Sequence, residues 1–231
     1  MDIGKSFGFV FEDKEWVTKI LIGALILLAG VLLGIFVIPA ILAGFLLSGY
    51  GVEITRRVIR REAEVLPVWD NWGDLLIDGL KVWVIGVVYA LPIIISSICL
   101  GTPIGILSEN SESAGAILSA ILGCINLLWG IVMAFLLPAA IALFVDKDDL
   151  GAAFRFGEVF GLVRDNFSTY LITAVMIWVA NLIGGLGVIL CGFGWLVTYP
   201  YAVWVSAHLG GLAYLEATGR GPQPALEEEF V

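Results

Sequence analysis

The first long apolar block, Val17 to Val52, already decides what kind of fold this chain can adopt. As a single helix it would measure about 50 Å, whereas a hydrocarbon core of about 30 Å is crossed by about 20 apolar residues. Pro39 interrupts the block near its middle, where it removes a backbone donor and clashes with the preceding turn. Two membrane-crossing helices joined by a tight turn follow. Further apolar blocks of similar length recur to the end of the chain. With 60% hydrophobic and 14% charged residues and a mean hydropathy of +1.00, the 231-residue chain lacks the quarter or so of charged residues that covers a water-soluble domain. The apolar runs are continuous rather than alternating, which excludes a transmembrane barrel. The expected class is all-α, a polytopic integral membrane protein. The mixed-charge stretch FEDKEWVTK precedes the first block, the block is too long for the apolar part of a signal peptide, and no small-x-small site follows, so the first helix is expected to stay.

The basic residues set the orientation. GYGVEITRRVIRR, Gly49 to Arg61, carries Arg56, Arg57, Arg60 and Arg61, and a hairpin over the first block returns them to the side of Lys5, Lys14 and Lys19. In EAEVLPVWDNWGDLLIDGLK, Asp70 suits an N-cap, and Trp69, Trp72, Leu76, Leu80 and Trp83 recur at helical spacing. Asp70, Asp74 and Asp78 fall on another face, so residues 70–80 read as a short amphipathic helix lying at the interface, followed by a third span. The loop GTPIGILSENSES has no Lys or Arg and belongs outside. The block Ala114 to Val145 contains Pro138, but breaking it there would move Lys147, Arg155, Arg164 and Arg220 outside; one long helix is the reading. A second interfacial segment and two more spans close the chain.

The resulting expectation is six transmembrane helices arranged as three hairpins within one membrane domain, 1–216. The spans lie at about 17–37, 40–61, 81–100, 114–145, 167–190 and 193–215, with interfacial helices at about 70–80 and 149–164 and an acidic, disordered tail over 217–231. All 12 Lys and Arg then share one side, while Glu109 and Glu112 remain outside; both termini are cytoplasmic, in the inner membrane of a prokaryote. The segment openings FEDKEWVTKILIGA, IDGLKVWVIGV and VRDNFSTYLITA share an acidic residue before an apolar entry. Internal repetition and the ordinary grammar of membrane entry both account for that.

Candidate chemistry is sparse. His208 is the only histidine, so no histidine pair or triad can form; a hydrogen bond between helices beside Gly210 and Gly211 is its expected role. No HExxH, GxSxG or P-loop pattern occurs, which leaves no catalytic, cofactor-binding or metal-ligating residue to name. Asn126 and Asn181, deep in the fourth and fifth spans, could bind each other or a ligand, and polar glue between helices is the simpler reading. Glu53 stands three and four residues before Arg56 and Arg57, the spacing of intrahelical ion pairs; with Arg60 and Arg61 these make an inner-interface cluster, an anchor or half of an inner gate. The stripe Asp70, Asp74, Asp78 is either a wet helix face or a surface for a cation or a basic partner. Cys99 and Cys191 fall near outer span ends and would be disulfide-bonded if neighbours. Gly30-x-x-x-Gly34, Ala40-x-x-x-Gly44 and the run Gly184 to Gly187 permit close packing of helices. A net charge of −9 disfavours nucleic acid as a partner.

The stretches FVFEDKEWVTKILIGAL, GYGVEITRRVIRR with LPVWDNWGDLLIDGLK, and VRDNFSTYL with SAHLGGLAY resemble a family of bacterial and archaeal membrane proteins, domain of unknown function 4013. The resemblance implies an all-helical membrane domain and no assigned activity. A looser likeness to the membrane domains accompanying some glycerophosphodiester phosphodiesterases brings no catalytic residues with it. The expected function is a non-catalytic membrane scaffold or accessory subunit, held in the lipid bilayer with other membrane subunits or with copies of itself. A passive or facilitated pathway for a small apolar or lipid-like solute comes second, and a lipid-modifying enzyme last.

Overall fold

A computed structural model describes residues 3–33, 37–189 and 194–221. Among them the order is α1 (Ile3–Glu12), α2 (Trp16–Leu32), α3 (Ile38–Arg60), α4 (Trp72–Asn110), α5 (Glu112–Lys147), α6 (Phe156–Asp165), α7 (Phe167–Leu186) and α8 (Trp195–Ala217), with 3-10 turns at Leu150–Phe154 and Gly187–Ile189 and no strand. Four of these helices, α3, α4, α5 and α7, are long and apolar enough to cross a membrane; a fifth span results if α1 and α2, bent by 92°, count as one.

Several boundaries differ from expectation, each for a local reason. Pro39 stands in the first turn of α3, where the missing N–H would be unpaired anyway, so it starts a helix rather than breaking one. The expected interfacial helix at 70–80 is not separate: α4 begins at Trp72 and runs unbroken past Lys81, because nothing between Trp72 and Pro92 stops it. The expected outer loop is helical to Asn110, with Pro103 inside the helix, and α5 begins two residues later. Apolar Ile104, Ile106 and Leu107 keep that stretch helical, since a helix satisfies backbone groups internally where water is absent. The expected helix at 149–164 is split at Arg155. Asp149 accepts a hydrogen bond from the Gly151 N–H and caps a 3-10 turn, and α6 starts afresh after it. Pro138 lies within an unbroken α5.

One helix was absent from the expectation. In α1, Ser6, Phe9 and Val10 are buried at amphipathic spacing, and the Tyr201 hydroxyl donates to the Phe7 carbonyl at 2.8 Å, which lays α1 against α8. The chain leaves α1 through a tight turn in which Asp13 accepts from the Glu15 N–H at 2.7 Å.

The bundle is built around α8, which packs against α1, α2, α3, α5 and α7. Sheltered on most sides, α8 need not be strongly apolar, and it carries Pro200, His208 and Thr198. Small residues set its distance from neighbours. Gly211 faces Val58 of α3, Gly210 faces Pro138 of α5, and Gly184 of α7 faces Ala202. The tightest crossing is between α3 and α4. A Cβ on Gly49 would lie 1.8 Å from the Leu75 carbonyl oxygen, and one on Gly79 1.9 Å from that of Phe45, so the two backbones meet directly at two points. Among the small-residue motifs expected to pack, Gly30 meets Ala43 and Gly44 meets Trp83, while Gly34 is outside the described residues.

In an exposed helix, glycine to alanine gains up to about 1 kcal/mol of helix propensity. At the α3–α4 crossing the clash wins: Gly79→Ala and Gly49→Ala are expected to destabilise by about 2 kcal/mol or more. Gly86→Ala, with nothing within 4 Å, is expected to be neutral or slightly stabilising. Thermal unfolding of the three variants in one detergent checks the ordering.

Candidate functional site

The arginine cluster and the aspartate stripe, separate in sequence, form one network in space. One turn of α3 presents Glu53, Arg56 and Arg57 on the same side. Glu53 accepts from Arg56 Nη1 at 2.5 Å and from Arg57 Nε at 3.2 Å. Arg56 then reaches across to α4, with Nη2 at 2.8 Å from Asp78 Oδ2, and Lys81 Nζ closes on Asp78 Oδ1 at 2.8 Å. Lys81 also lies 5.5 Å over the ring of Phe144, so the network touches α5. Asp78 lies on α4 between Leu75 and Gly79, the residues at the two backbone contacts, and the close approach there brings it within reach of Arg56.

The aspartate stripe therefore does not act as one surface. Asp78 is 8% exposed and committed to Arg56 and Lys81. Asp74 is exposed in the first turn of α4, and Asp70 is exposed and accepts from the Asn71 N–H. Period-based reading put all three on one wet face because it could not see that α3 covers the Asp78 side. Of the arginines, Arg57 also approaches Glu62 at 3.7 Å and donates to the Glu64 carbonyl. Arg60 is exposed. Arg61 caps α3 in a left-handed conformation and donates to the Arg220 and Gly221 carbonyls after α8. The same end of α8 is tied to α5 by Asp146, which accepts from Tyr214 at 2.8 Å and from Arg220 at 2.9 Å.

A second constellation escaped the sequence altogether. Lys19, in the first turns of α2, is 6% exposed and donates to Asp13 at 2.6 Å and to the Leu66 carbonyl at 3.1 Å. Trp69 donates its indole N–H to the Lys19 carbonyl at 3.1 Å, and the Tyr50 hydroxyl donates to the Pro67 carbonyl at 2.7 Å. These bonds fold the α3–α4 loop back over α2. Trp72, Trp69, Tyr50 and Trp204 stack in sequence above them, with centroids 4.2 to 5.5 Å apart. Burial raises the Asp13 carboxyl, but the bonds from Lys19 and the Glu15 N–H outweigh it and hold the pKa below its usual value. In sequence FEDKEWVTK is only a mixed-charge stretch, since the six-residue spacing of Asp13 and Lys19 is no helical pairing signal.

Between α1, the turn after it and the folded-back loop lies an open cleft of about 640 Å³, lined in part by Phe9, Asp13, Lys19, Leu66 and His208. His208 is 3% exposed, stacks on Phe9 at 4.3 Å and pairs through Nδ1 with Ser6 Oγ at 3.1 Å, an interhelical bond to α1. At the other end of the molecule, Asn126 of α5 bridges Ser96 at 2.8 Å and Ser97 at 3.1 Å on α4, and Trp129 donates to the Tyr89 carbonyl one turn before Pro92. Asn181 bonds within its own helix, to the Ile177 carbonyl, so the two asparagines do not meet. Cys99 is exposed on α4 with a free thiol; Cys191, its suggested partner, lies outside the described residues. Among the described residues no group of three His, Cys, Asp or Glu converges as a metal site would require.

The profile of a family described as a protein of unknown function, DUF4013, matches residues 32–193. The chain belongs to that family. The matched region of this DUF4013 protein runs from the end of α2 to just before α8 and includes the whole Glu53–Arg56–Asp78–Lys81 network. It leaves out α1, Lys19 and His208. Neither curated proteins nor solved structures give a match.

Removing Asp78 leaves Arg56 and Lys81 partly buried without their carboxylate. Asp78→Ala is expected to cost about 3 kcal/mol, the scale for breaking one side of a buried pair. Asp74→Ala, at an exposed site, is expected to stay within about 0.5 kcal/mol of the parent. Parallel thermal melts of the two variants separate these outcomes.

Proposed function

We propose that this DUF4013 protein is a non-catalytic membrane scaffold or accessory subunit, held by six spans with both termini in the cytoplasm. The observation that carries it is the α4–α5 hairpin. Within the most apolar window of α4 only 11% of residues are buried in the chain, and Ile94, Ile95, Ile98 and Ile106 on α4 and Leu127 and Leu128 on α5 are exposed. The two helices are 39 and 36 residues long, about 58 and 54 Å, against a hydrocarbon core of about 30 Å. Hydrophobic helices longer than the bilayer are relieved by tilting or by packing against other helices. A hairpin that offers apolar faces beyond what its own chain covers suits lateral contact with other membrane subunits or with a second copy. Meanwhile Glu53, Arg56, Asp78 and Lys81, the charges nearest the spans at the basic end, are paired with one another.

The six spans are α2, α3, α4, α5, α7 and α8. In this reading α2 is a short span, and α8 crosses despite modest hydropathy because the other helices shield it from lipid. The positive-inside bias supports the orientation, since every Lys and Arg then falls on the cytoplasmic side. In a cysteine-free background, Ser111→Cys is expected to react with an impermeant thiol reagent in intact cells, and Thr218→Cys only after permeabilisation. Reaction of both from outside would overturn the topology.

Gentle extraction from the native membrane followed by native mass analysis tests the function. A stoichiometric complex with other polypeptides is expected. A monomer that carries a retained lipid or small molecule would sink the scaffold reading. The apolar groove of about 230 Å³ between Pro92, Ser96, Asn126 and Trp129 favours a second reading in that event, a pathway for a small apolar or lipid-like solute. Solute flux into liposomes that contain this chain alone, lost on Glu53→Gln, would then support transport.

A further inference from the structure

The cleft at the basic end of the bundle is a feature that the scaffold reading does not use. Its volume of about 640 Å³ falls in the range of small-molecule sites, about 300 to 1,000 Å³. Its charges are unbalanced: Glu12, Asp13, Glu15, Glu62 and Glu64 line it against Lys5, Lys14 and Lys19. Lys19 and Asp13 neutralise each other and Glu62 is drawn toward Arg57, which leaves Glu12, Glu15 and Glu64 against Lys5 and Lys14. Glu12, Glu15 and Glu64 are exposed and make no ion pair among the described residues. They stand on two walls, Glu12 and Glu15 beside the α1–α2 turn and Glu64 on the α3–α4 loop.

The floor supplies the second observation. His208 is 97% buried by its 3% exposure, and its Nδ1 is taken by Ser6, while Nε2 has no partner among the described residues. His208 lines the cleft with what exposure it has. With Nδ1–H donating to Ser6 Oγ, Nε2 is left as an acceptor on a residue that lines the cleft. A buried acceptor without a donor is costly unless water or a ligand supplies one.

We propose that the cleft binds a linear organic polycation, an amine with two or more ammonium groups separated by methylenes. Three features select that class over others. The excess of carboxylates selects a cation. Their spread over two walls, with no three of them converging on one point, selects separated charges over a single metal ion. Phe9, Val65, Leu66 and Val68 between the walls give methylene segments an apolar surface. One ammonium sits between Glu12 and Glu15, another at Glu64, and an N–H of the amine donates to His208 Nε2. This site goes beyond the scaffold reading and does not depend on any partner subunit.

The test is titration of the purified full chain in detergent with spermidine, against magnesium chloride at matched ionic strength, read by thermal shift and by calorimetry. Saturable stabilisation by spermidine and none by magnesium is expected. The double variant Glu12→Gln, Glu64→Gln changes only exposed side chains, and it is expected to lose about tenfold in affinity at unchanged parent stability. His208→Gln is expected to weaken binding as well, and Glu158→Gln, an exposed carboxylate on α6, to leave it unchanged. Equal shifts from magnesium and spermidine would mean counter-ion screening only and would overturn the proposal. So would undiminished spermidine affinity in the double glutamine variant, or binding confined to a basic peptide.

Discussion

The ion network at the basic end of this molecule depends on how closely α3 and α4 approach. Gly49 against Leu75 and Gly79 against Phe45 put backbone on backbone, a distance no other residue type allows. Once the helices are that close, Arg56 is within reach of Asp78, and a pair of charges that would be costly to bury alone becomes a tie between two elements. Dispersion and electrostatics are therefore not independent here. The crossing sets the geometry, and the ion network then specifies the register along it.

The second organising element is α8. Its neighbours cover most of its surface, and it meets them through Gly210, Gly211 and Ala202 rather than through bulky apolar side chains. Polar side chains in α8 are consequently used between elements: Thr198 donates to Gly184 in α7, Thr55 of α3 donates to Ala207, and His208 holds α1 through Ser6. The α4–α5 hairpin is the opposite case. It is long, apolar, and held to itself by the Asn126 bonds to Ser96 and Ser97, with much of its surface uncovered. The molecule thus joins a closely packed half to an open one, and the proposed assembly role and the proposed polycation site lie in different halves.

Particular residues show how far the sequence could be read. Glu53 with Arg56 and Arg57 was legible because an intrahelical pair needs only a spacing of three or four. Arg56 with Asp78 was not, since the two lie on different helices 22 residues apart. Asp78 was read as a wet residue because periodicity shows which residues share a face and not which neighbour covers it. Lys19 with Asp13 was invisible for a related reason: a turn and a 92° bend bring them together, and neither is encoded as a repeat. Helix α1 was missed because ten residues are too few to stand out from a charged leader. In α4 the expected break at residue 80 and the expected loop after residue 100 are both helical, because an otherwise apolar helix tolerates the charges and the proline there.

By itself the sequence determined the solvent and the class. Long apolar blocks with almost no charge cannot cover a surface in water, and their length demands helices; that is a property of composition and order along one dimension. Only the tertiary structure decided which side chains meet: the pairing of Arg56 with Asp78, the folding of the 61–71 loop over Lys19, and the cleft floored by His208. Those contacts depend on the separation and angle between helices. Glycines set the separation by what they leave out, and a missing side chain acquires its meaning only when the element that fills the space is known.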